Sequence, residues 1–562
     1  MLKTSSLFGN IRGDMFGGIT AGIVALPLAL AFGEQTELGA IAGLYGAIAL
    51  GILAAIFGGT KTQISGPTAP MTVVSAVIIA EAVKNAGSVE AAMPIIVATF
   101  VLSGLMQAML GIMKLGQYIK YIPYPVVSGF MSGIGFIIVI TQIFPFFGFN
   151  SPSGGAYGTI TEIHRIPEIF NFYSVLLAGL TIAIIYLFPK ITKKVPSSLV
   201  ALLVISIGAY FLIPVDAILR INSNGPIPTG LPVVHFDFFG AYLKWENLVA
   251  IAEYASTLAA LGAIDSLLTS VVADNMTKTK HDSNRELIGQ GIGNMAAGFI
   301  GGLPGAGATM RTVINIKTGG KTPISGVIAG LLLFAILMGL GSLVGHVPNA
   351  VLAGILITVG IGIIDYKSLK LIRNIPRTDA VIMISVLALT VLVDLLAAVA
   401  AGMVLASLLF MIKASKIVEA NSKTEPIGDF KPETPWKDEA KISKISECVY
   451  IKHIEGPLFF GFTAGFQDLV KNLPKIKIII IRMDRVPYVD HSGLYAMEDA
   501  ILDLKQRGMD IVFTGLTGQP KIMFQKIGII PNLVPIEQCF ENIHSCESWL
   551  TGKMKENKSK NQ

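Results

Sequence analysis

Leu303-Pro-Gly-Ala-Gly-Ala-Thr-Met-Arg-Thr-Val-Ile-Asn-Ile-Lys-Thr-Gly-Gly320 decides how the rest of the chain is read. It opens on glycine and proline, carries a short apolar stretch, and is polar again by Lys317. A helix needs about 20 apolar residues to cross a bilayer, so this stretch cannot span alone. A second stretch, ISGPTAPMTVV at residues 64–74, has the same make-up. Short, Gly/Pro-interrupted segments in the two halves of a hydrophobic chain point to a transporter's binding site. A helix that starts at mid-membrane exposes unpaired N–H groups and the positive end of its dipole. Two such ends facing one another form a cradle for a small anion.

The surrounding 562 residues are 52% hydrophobic and 14% charged. Soluble domains carry about 25% charge, and apolar runs repeat through residues 15–416. The fold class is therefore an α-helical polytopic membrane protein. Runs of spanning or near-spanning length fall at 15–33, 38–57, 92–112, 124–143, 172–189 and 197–214. They resume at 249–272, 286–301, 323–345, 348–365, 379–394 and 396–412, with Asp394 between the last two. With the two short segments they make fourteen elements, seven on each side of a loop at 215–246. Pro123-Tyr-Pro-Val-Val-Ser-Gly129 is echoed by Pro348-Asn-Ala-Val-Leu-Ala-Gly354, and the short segments precede them in matching order. An odd number of spans per half makes the two repeats, about 12–214 and 247–412, inverted, with the site at their interface.

With the N-terminus inside, the inner loops carry Lys61, Lys114, Lys120, Lys190, Lys193, Lys194, Lys278, Lys280, Arg285, Lys317, Lys321 and the cluster Lys367, Lys370, Arg373 and Arg377. The outer loops hold only Lys84, Arg165, Arg220 and Lys244, among acids such as Glu34, Glu37, Glu162 and Glu246. This positive-inside bias places both termini in the cytosol. Lys3, Arg12 and Asp14 precede the first apolar run without a cleavage-like site, so no signal peptide is expected.

The membrane domain is expected over 1–416 and a polar linker over 417–441. A small α/β domain follows over 442–553, then a charged, disordered tail at 554–562. In the α/β domain, 448–454, 477–482 and 510–514 read as strands, and 460–473 and 492–507 as helices. Cys448, Cys539 and Cys546 all lie there and read as reduced, cytosolic thiols.

Asp265 and Thr269 sit four residues apart and share a helix face. A carboxylate in a spanning helix marks an ion or substrate pathway unless it simply meets water near the helix end. Carboxylate, hydroxyl and carbonyl oxygens are the hard ligands that a small cation such as Na⁺ needs. Arg311 reads either as an anion-attracting charge beside the half-helix or as an anchor that snorkels to the inner surface. Thr68, Thr72, Thr309 and Thr312 are hydroxyls placed to donate to an anion. Gly291-Ile-Gly293-Asn-Met-Ala296 mimics a dinucleotide fingerprint but lies in an apolar helix with no strand before it. No catalytic triad, phosphate loop or metal-ligand spacing is evident, so neither an enzyme nor a nucleic-acid partner is expected.

Ala25-Leu-Pro-Leu-Ala-Leu-Ala-Phe-Gly33, Ser65-Gly-Pro-Thr-Ala-Pro70 and Pro304-Gly-Ala-Gly-Ala-Thr309 resemble the markers of SulP-family anion transporters. Those proteins carry a membrane domain followed by a STAS domain, and the resemblance covers nearly the whole chain. Asp265-Ser-Leu-Leu-Thr269 and Asp282-Ser-Asn-Arg-Glu-Leu287 look most like the family's cyanobacterial Na⁺-dependent bicarbonate branch. Leu28 stands where sulfate permeases often have Gln. The resemblance implies a Na⁺ site at Asp265, Thr269, Gly307, Ala308 and Thr309, with Thr68 and Ala69 at the anion-facing end. Arg311 resembles the pattern of sulfate and chloride members.

The same resemblance implies a homodimer in a bacterial inner membrane that imports bicarbonate by Na⁺ symport. Proton-coupled sulfate transport is the alternative, and a STAS-linked anion receptor a more distant one. Val489-Asp-His-Ser-Gly493 resembles the STAS strand-to-helix turn, with Ser492 at the place of the phosphorylatable serine. Asp490 or Ser492 can equally serve as a cap for the following helix.

Overall fold

The structure, a computed structural model, describes residues 8–152, 155–168, 170–192, 195–224, 232–236, 245–393, 395–421, 424–426, 449–459 and 477–559. Asp394, Lys193, Lys194, Lys244, Cys448, the helix expected at 460–473 and most of the expected linker lie outside them. The chain divides into two compact units, Met1–Ala406 and Ser407–Gln562.

The first unit is helical. Its early elements are α1 (Ile11–Glu34), α2 (Ala40–Phe57), β1 (Ser65–Gly66), α3 (Ala69–Ala86), α4 (Val89–Ile112), α5 (Tyr124–Thr141), α6 (Phe172–Ile191) and α7 (Ser197–Leu212). Then come α8 (Trp245–Thr277), α9 (Ser283–Phe299), β2 (Ala306–Gly307), α10 (Thr309–Lys317), α11 (Ile324–Val344), α12 (Asn349–Ile363) and α13 (Arg377–Leu392). The last helix, α14 (Leu395–Asn421), runs from the first unit into the second. Eight helices among the described residues are long and apolar enough to cross a membrane.

Packing sorts these helices into two groups. The α9 helix packs on α4 and α2, α11 on α1 and α2, and α8 on α4. Separately, α13 packs on α5, and α12 on α6 and α5. Small residues bring the backbones together, as expected where lipid supplies no hydrophobic drive. Gly104 and Gly291 face each other across α4 and α9: a Cβ on Gly104 would lie 2.6 Å from the Gly291 carbonyl oxygen.

The two short segments differ in length. Only α10, nine residues long, is a short helix, whereas α3 runs for 18 residues. Polar residues such as Ser75, Glu81 and Lys84 do not end α3; Glu81 is met by the Tyr254 hydroxyl. Asp14 of α1 fixes the far end of the second segment. Its carboxylate accepts from the Lys321 and Thr322 amides at 2.7 and 2.9 Å and from the Thr322 hydroxyl at 2.8 Å.

The second unit contains β3 (Thr424–Pro426), β4 (Val449–Glu455), β5 (Ile478–Arg485), α15 (His491–Gln506), β6 (Asp510–Thr514), α16 (Gly518–Lys526), β7 (Cys539–Phe540) and α17 (Ile543–Ser559). The sheet order is β3-β4-β5-β6-β7, parallel except for the antiparallel edge strand β3. A parallel sheet is covered on both faces, so its strands read as continuous apolar runs. Ile479 and Ile481 of β5 pack with Leu494, Met497 and Ile501 of α15. Ile478 and Ile480 turn the other way, to Ile543, Cys546 and Leu550 of α17.

Asp490 is the cap of α15, accepting from the Gly493 amide at 2.7 Å. This corrects the capping role considered for Ser492, which lies inside the first turn and is exposed. A cap accepts from residues two or three ahead, and Asp490 occupies the only position from which it reaches Gly493.

Candidate functional site

The two Gly/Pro stretches cross. Ser65 pairs with Gly307 and Gly66 with Ala306 in an antiparallel two-stranded sheet. The Ala308 amide donates to the Ile64 carbonyl at 2.8 Å, and the Ile64 amide to the Thr312 hydroxyl at 3.1 Å. Because the strands are antiparallel, α3 and α10 leave the crossing in opposite directions. Neither helix start, at Thr68 or Ala308, carries a side-chain cap. Their first amides are thus left for water or a ligand. Thr309 is exposed and Met310 is 71% exposed, so the first turn of α10 opens onto space that the chain does not fill.

Three of the residues expected to hold a cation, Thr269, Gly307 and Thr309, come together. The Thr269 hydroxyl donates to the Gly307 carbonyl at 2.8 Å and lies 2.7 Å from the Thr309 hydroxyl oxygen. The Gly307 amide donates to the Ser266 hydroxyl at 3.2 Å, so α8 holds both ends of this glycine's peptide groups. Asp265 lies on the same helix face, buried, and accepts from the Thr68 hydroxyl at 2.7 Å. The Thr68 proton is therefore turned to Asp265, which ties the start of α3 to α8. Thr312 is likewise engaged with Ile64, while the buried Thr72 hydroxyl has no protein partner.

Arg311, the third residue of α10, is 2% exposed. That overturns the snorkelling anchor, because an anchor must carry its charge to an interface. Its side chain turns back over the helix start, as helical geometry favours, and Nη2 donates to the Pro67 carbonyl. Nη1 lies 2.6 Å from the point where a Gly66 Cβ would sit, so a side chain there would displace the guanidinium. Nε and Nη1 are buried and without partners. Asp265 and Arg311 act on each other electrostatically but form no ion pair.

Another buried carboxylate of the unit, Glu286, 1% exposed, has a different environment from Asp265. Four N–H donors reach it, from Gly59, Thr60, Gln63 and Gln290. Its lone pairs are taken up, whereas Asp265 has a single hydroxyl donor. Of the two, only Asp265 keeps coordination capacity for a cation.

One arrangement was not legible in the sequence. Asp274 lies 2.7 Å from His281 Nδ1, and His281 Nε2 lies 2.9 Å from the Ser283 hydroxyl. This hydrogen-bonded chain is not a catalytic triad. The Asn284 and Arg285 amides that would receive an oxyanion donate to Asp282 at 3.1 Å each. A carboxylate already fills that place, and such a hole needs free donors. The three residues join α8 to α9.

Comparison with known proteins agrees with this geometry. The family model described as the sulfate permease family matches residues 11–386, and the STAS domain model matches residues 440–546. The bicarbonate transporter BicA of Picosynechococcus sp. is 38% identical over 538 residues, covering 95% of this chain and 93% of the relative. A putative sulfate transporter of Bacillus subtilis, YvdB, is 34% identical, covering 92% of this chain and 93% of the relative. The solved transmembrane domain of a cyanobacterial BicA aligns with a TM-score of 0.64 at 45% identity, over 70% of this chain and 98% of that one. An open cradle between two crossed segments and a family match across both units converge on one assignment: the chain belongs to the sulfate permease family, as a multi-pass membrane transporter of anions with a STAS domain.

Proposed function

We propose that this protein imports a small oxyanion, bicarbonate foremost, together with Na⁺ by alternating access. The observation that carries the reading is the presence of two unlike half-sites in one cradle. Arg311 offers a buried guanidinium with two unpartnered nitrogens beside the uncapped starts of α3 and α10. Asp265 offers a carboxylate with one donor, one helical turn from Thr269, whose hydroxyl meets the Gly307 carbonyl and the Thr309 hydroxyl; in this reading Ala308 completes the set. The first suits an anion, the second a hard cation carried as cargo. Hydrogen bonds to the anion from the Arg311 guanidinium and from the backbone amides of Thr68 and Ala69 would hold it at the helix starts. Similarity to bicarbonate transporters over 95% of the chain favours bicarbonate.

The packing groups support a rocking mechanism. In this reading α1–α4 and α8–α11 carry the site as one inverted-repeat core, and α5–α7 with α12–α14 form the gate against which it moves. The charge bias supports cytosolic termini in a bacterial plasma membrane, with residues 1–416 as the transport domain and 442–553 as the cytosolic STAS domain. The homodimer is carried by the family resemblance alone.

A second reading, proton-coupled sulfate import, is favoured by Arg311 and by the similarity to YvdB. Uptake by proteoliposomes presented with bicarbonate, sulfate, chloride or fumarate, each with and without a Na⁺ gradient, separates the two. Bicarbonate uptake driven by inward Na⁺ is the expected result. Sulfate uptake driven by a proton gradient and indifferent to Na⁺ would replace it with the second reading, and no flux at all would favour a receptor.

A further inference from the structure

Glu286 lies at the start of α9, away from both half-sites, yet its contacts converge on the strand crossing. Its Oε2 accepts from the amides of Gly59 and Thr60 at 2.9 and 2.8 Å. Its Oε1 accepts from Gln63 Nε2 at 2.7 Å and from Gln290 Nε2 at 2.8 Å. Those two amides reach the two partners of one strand pair. Gln290 Nε2 also donates to the Ser65 hydroxyl at 2.6 Å. Gln63 Nε2 is pressed against Gly307, only 2.1 Å from where its Cβ would be. Ser65 and Gly307 face each other in the sheet.

The other end of Gln63 leads to the cation half-site. Gln63 Oε1 accepts from the Ser270 hydroxyl at 3.0 Å, and Ser270 follows Thr269, whose hydroxyl holds the Gly307 carbonyl. Ser270 lies 2.7 Å from the Thr60 hydroxyl, so the ring closes on the loop that Glu286 anchors. Every amide orientation in this ring is forced, because a carboxylate only accepts. With four donors, Glu286 has no role left as an ion ligand; its remaining function is to hold.

We propose that Glu286, acting through Gln63 and Gln290, is a positioning residue that sets the cation affinity of the Asp265–Thr269–Gly307 half-site without touching the ion. This rests on the reading of that half-site as the carrier of Na⁺. Groups that orient ligands from behind typically change metal affinity by roughly 10–100-fold when lost. Glu286→Gln replaces two acceptor lone-pair positions by N–H and sets them against existing donors. Gln63→Leu keeps the bulk against Gly307 and removes both hydrogen bonds.

The test is anion uptake by proteoliposomes of the full chain, titrated with Na⁺, for the parent, Glu286→Gln, Gln63→Leu and Ser270→Ala. The half-saturating Na⁺ concentration should rise roughly 10–100-fold in the first two variants and by a smaller factor in Ser270→Ala. The anion KM at saturating Na⁺ should stay within about twofold, since uniform anion binding is untouched. Should Glu286→Gln fail to fold, Gln63→Leu and Ser270→Ala carry the same comparison. Folded variants with unchanged Na⁺ dependence would overturn the positioning role while leaving the Na⁺ reading intact. A parent protein indifferent to Na⁺ would instead remove that reading, and the positioning role with it.

Discussion

The Arg311 guanidinium donates to the carbonyl of Pro67 and not to the carboxylate of Asp265. Two opposite charges in one cradle would be expected to neutralise each other, and a buried pair broken on one side loses about 3–5 kcal/mol. Here each charge is held by a group of the other short segment or by a hydroxyl, and each keeps unused valence. Under the proposed mechanism, this separation leaves Asp265 for the cation and Arg311 for the anion.

Arg311→Ala should therefore weaken anion binding and leave Na⁺ stimulation visible. A hydrogen bond to a charged group contributes about 1.5–3 kcal/mol, a rise in anion KM on the order of tenfold to a hundredfold. Arg311→Lys should recover only part of this, because a point charge cannot reproduce the fork. Steady-state uptake at several anion concentrations measures both.

Gly307→Ala should destabilise the fold. The new methyl would meet the Gln63 amide, not empty space, since that nitrogen lies 2.1 Å from the ideal Cβ. Overpacking of this kind costs about 1–3 kcal/mol. Thermal unfolding in detergent should show a lowered midpoint, and Gln63→Ser in the same chain should restore part of it. Equal stability of Gly307→Ala and the parent would contradict this packing.

In the STAS domain, Asp490→Ala should cost about 0.5–2 kcal/mol as a lost cap. Ser492→Ala, at an exposed position that caps nothing, should stay within about 0.5 kcal/mol. Ser492→Asp should preserve the fold as well, so a change of flux in that variant at equal expression would report a phosphorylation switch.

Asp365 follows α12 and caps the turn Tyr366–Lys370. Partial burial pushes its carboxyl up, but hydrogen bonds from Ser128, Ser368 and Tyr124 outweigh this and hold it at about 2, below the usual 3.8. A carboxyl lowered by folding stabilises above its unfolded value and loses that contribution as pH falls through its folded value. The parent should thus lose stability between pH 3.8 and about 2, modestly because the group is partly exposed. Asp365→Asn should lose that acid-dependent step, read from unfolding midpoints across the same range.

How far the sequence reached depended on the kind of signal. The crossing of residues 64–74 with 303–320 was legible because glycine and proline mark interrupted helices whatever packs on them. Asp265 and Thr269 were legible because a carboxylate within an apolar run stands out, whereas the contact of Thr269 with Gly307 was implied only by the family resemblance. The length of α3 was not legible, since the segment reads as ending at residue 74, whereas the helix continues through Glu81, which Tyr254 of a distant helix meets. Glu286 lies in the family-like stretch 282–287, but nothing there pointed to its partner, and Gln63 left no signal. They are 223 residues apart, and a neutral amide forms no motif. The Asp274–His281–Ser283 chain escaped because its order and its local turn match no hydrolase pattern.

The central claim is that Asp265 binds the coupling cation separately from the anion at Arg311. Na⁺-titrated bicarbonate uptake into proteoliposomes, comparing the parent chain with Asp265→Asn, tests it most directly. The account predicts saturable stimulation by Na⁺ in the parent and none in Asp265→Asn at any Na⁺ concentration. Stimulation that survives in Asp265→Asn, or uptake by the parent that is indifferent to Na⁺, would contradict it.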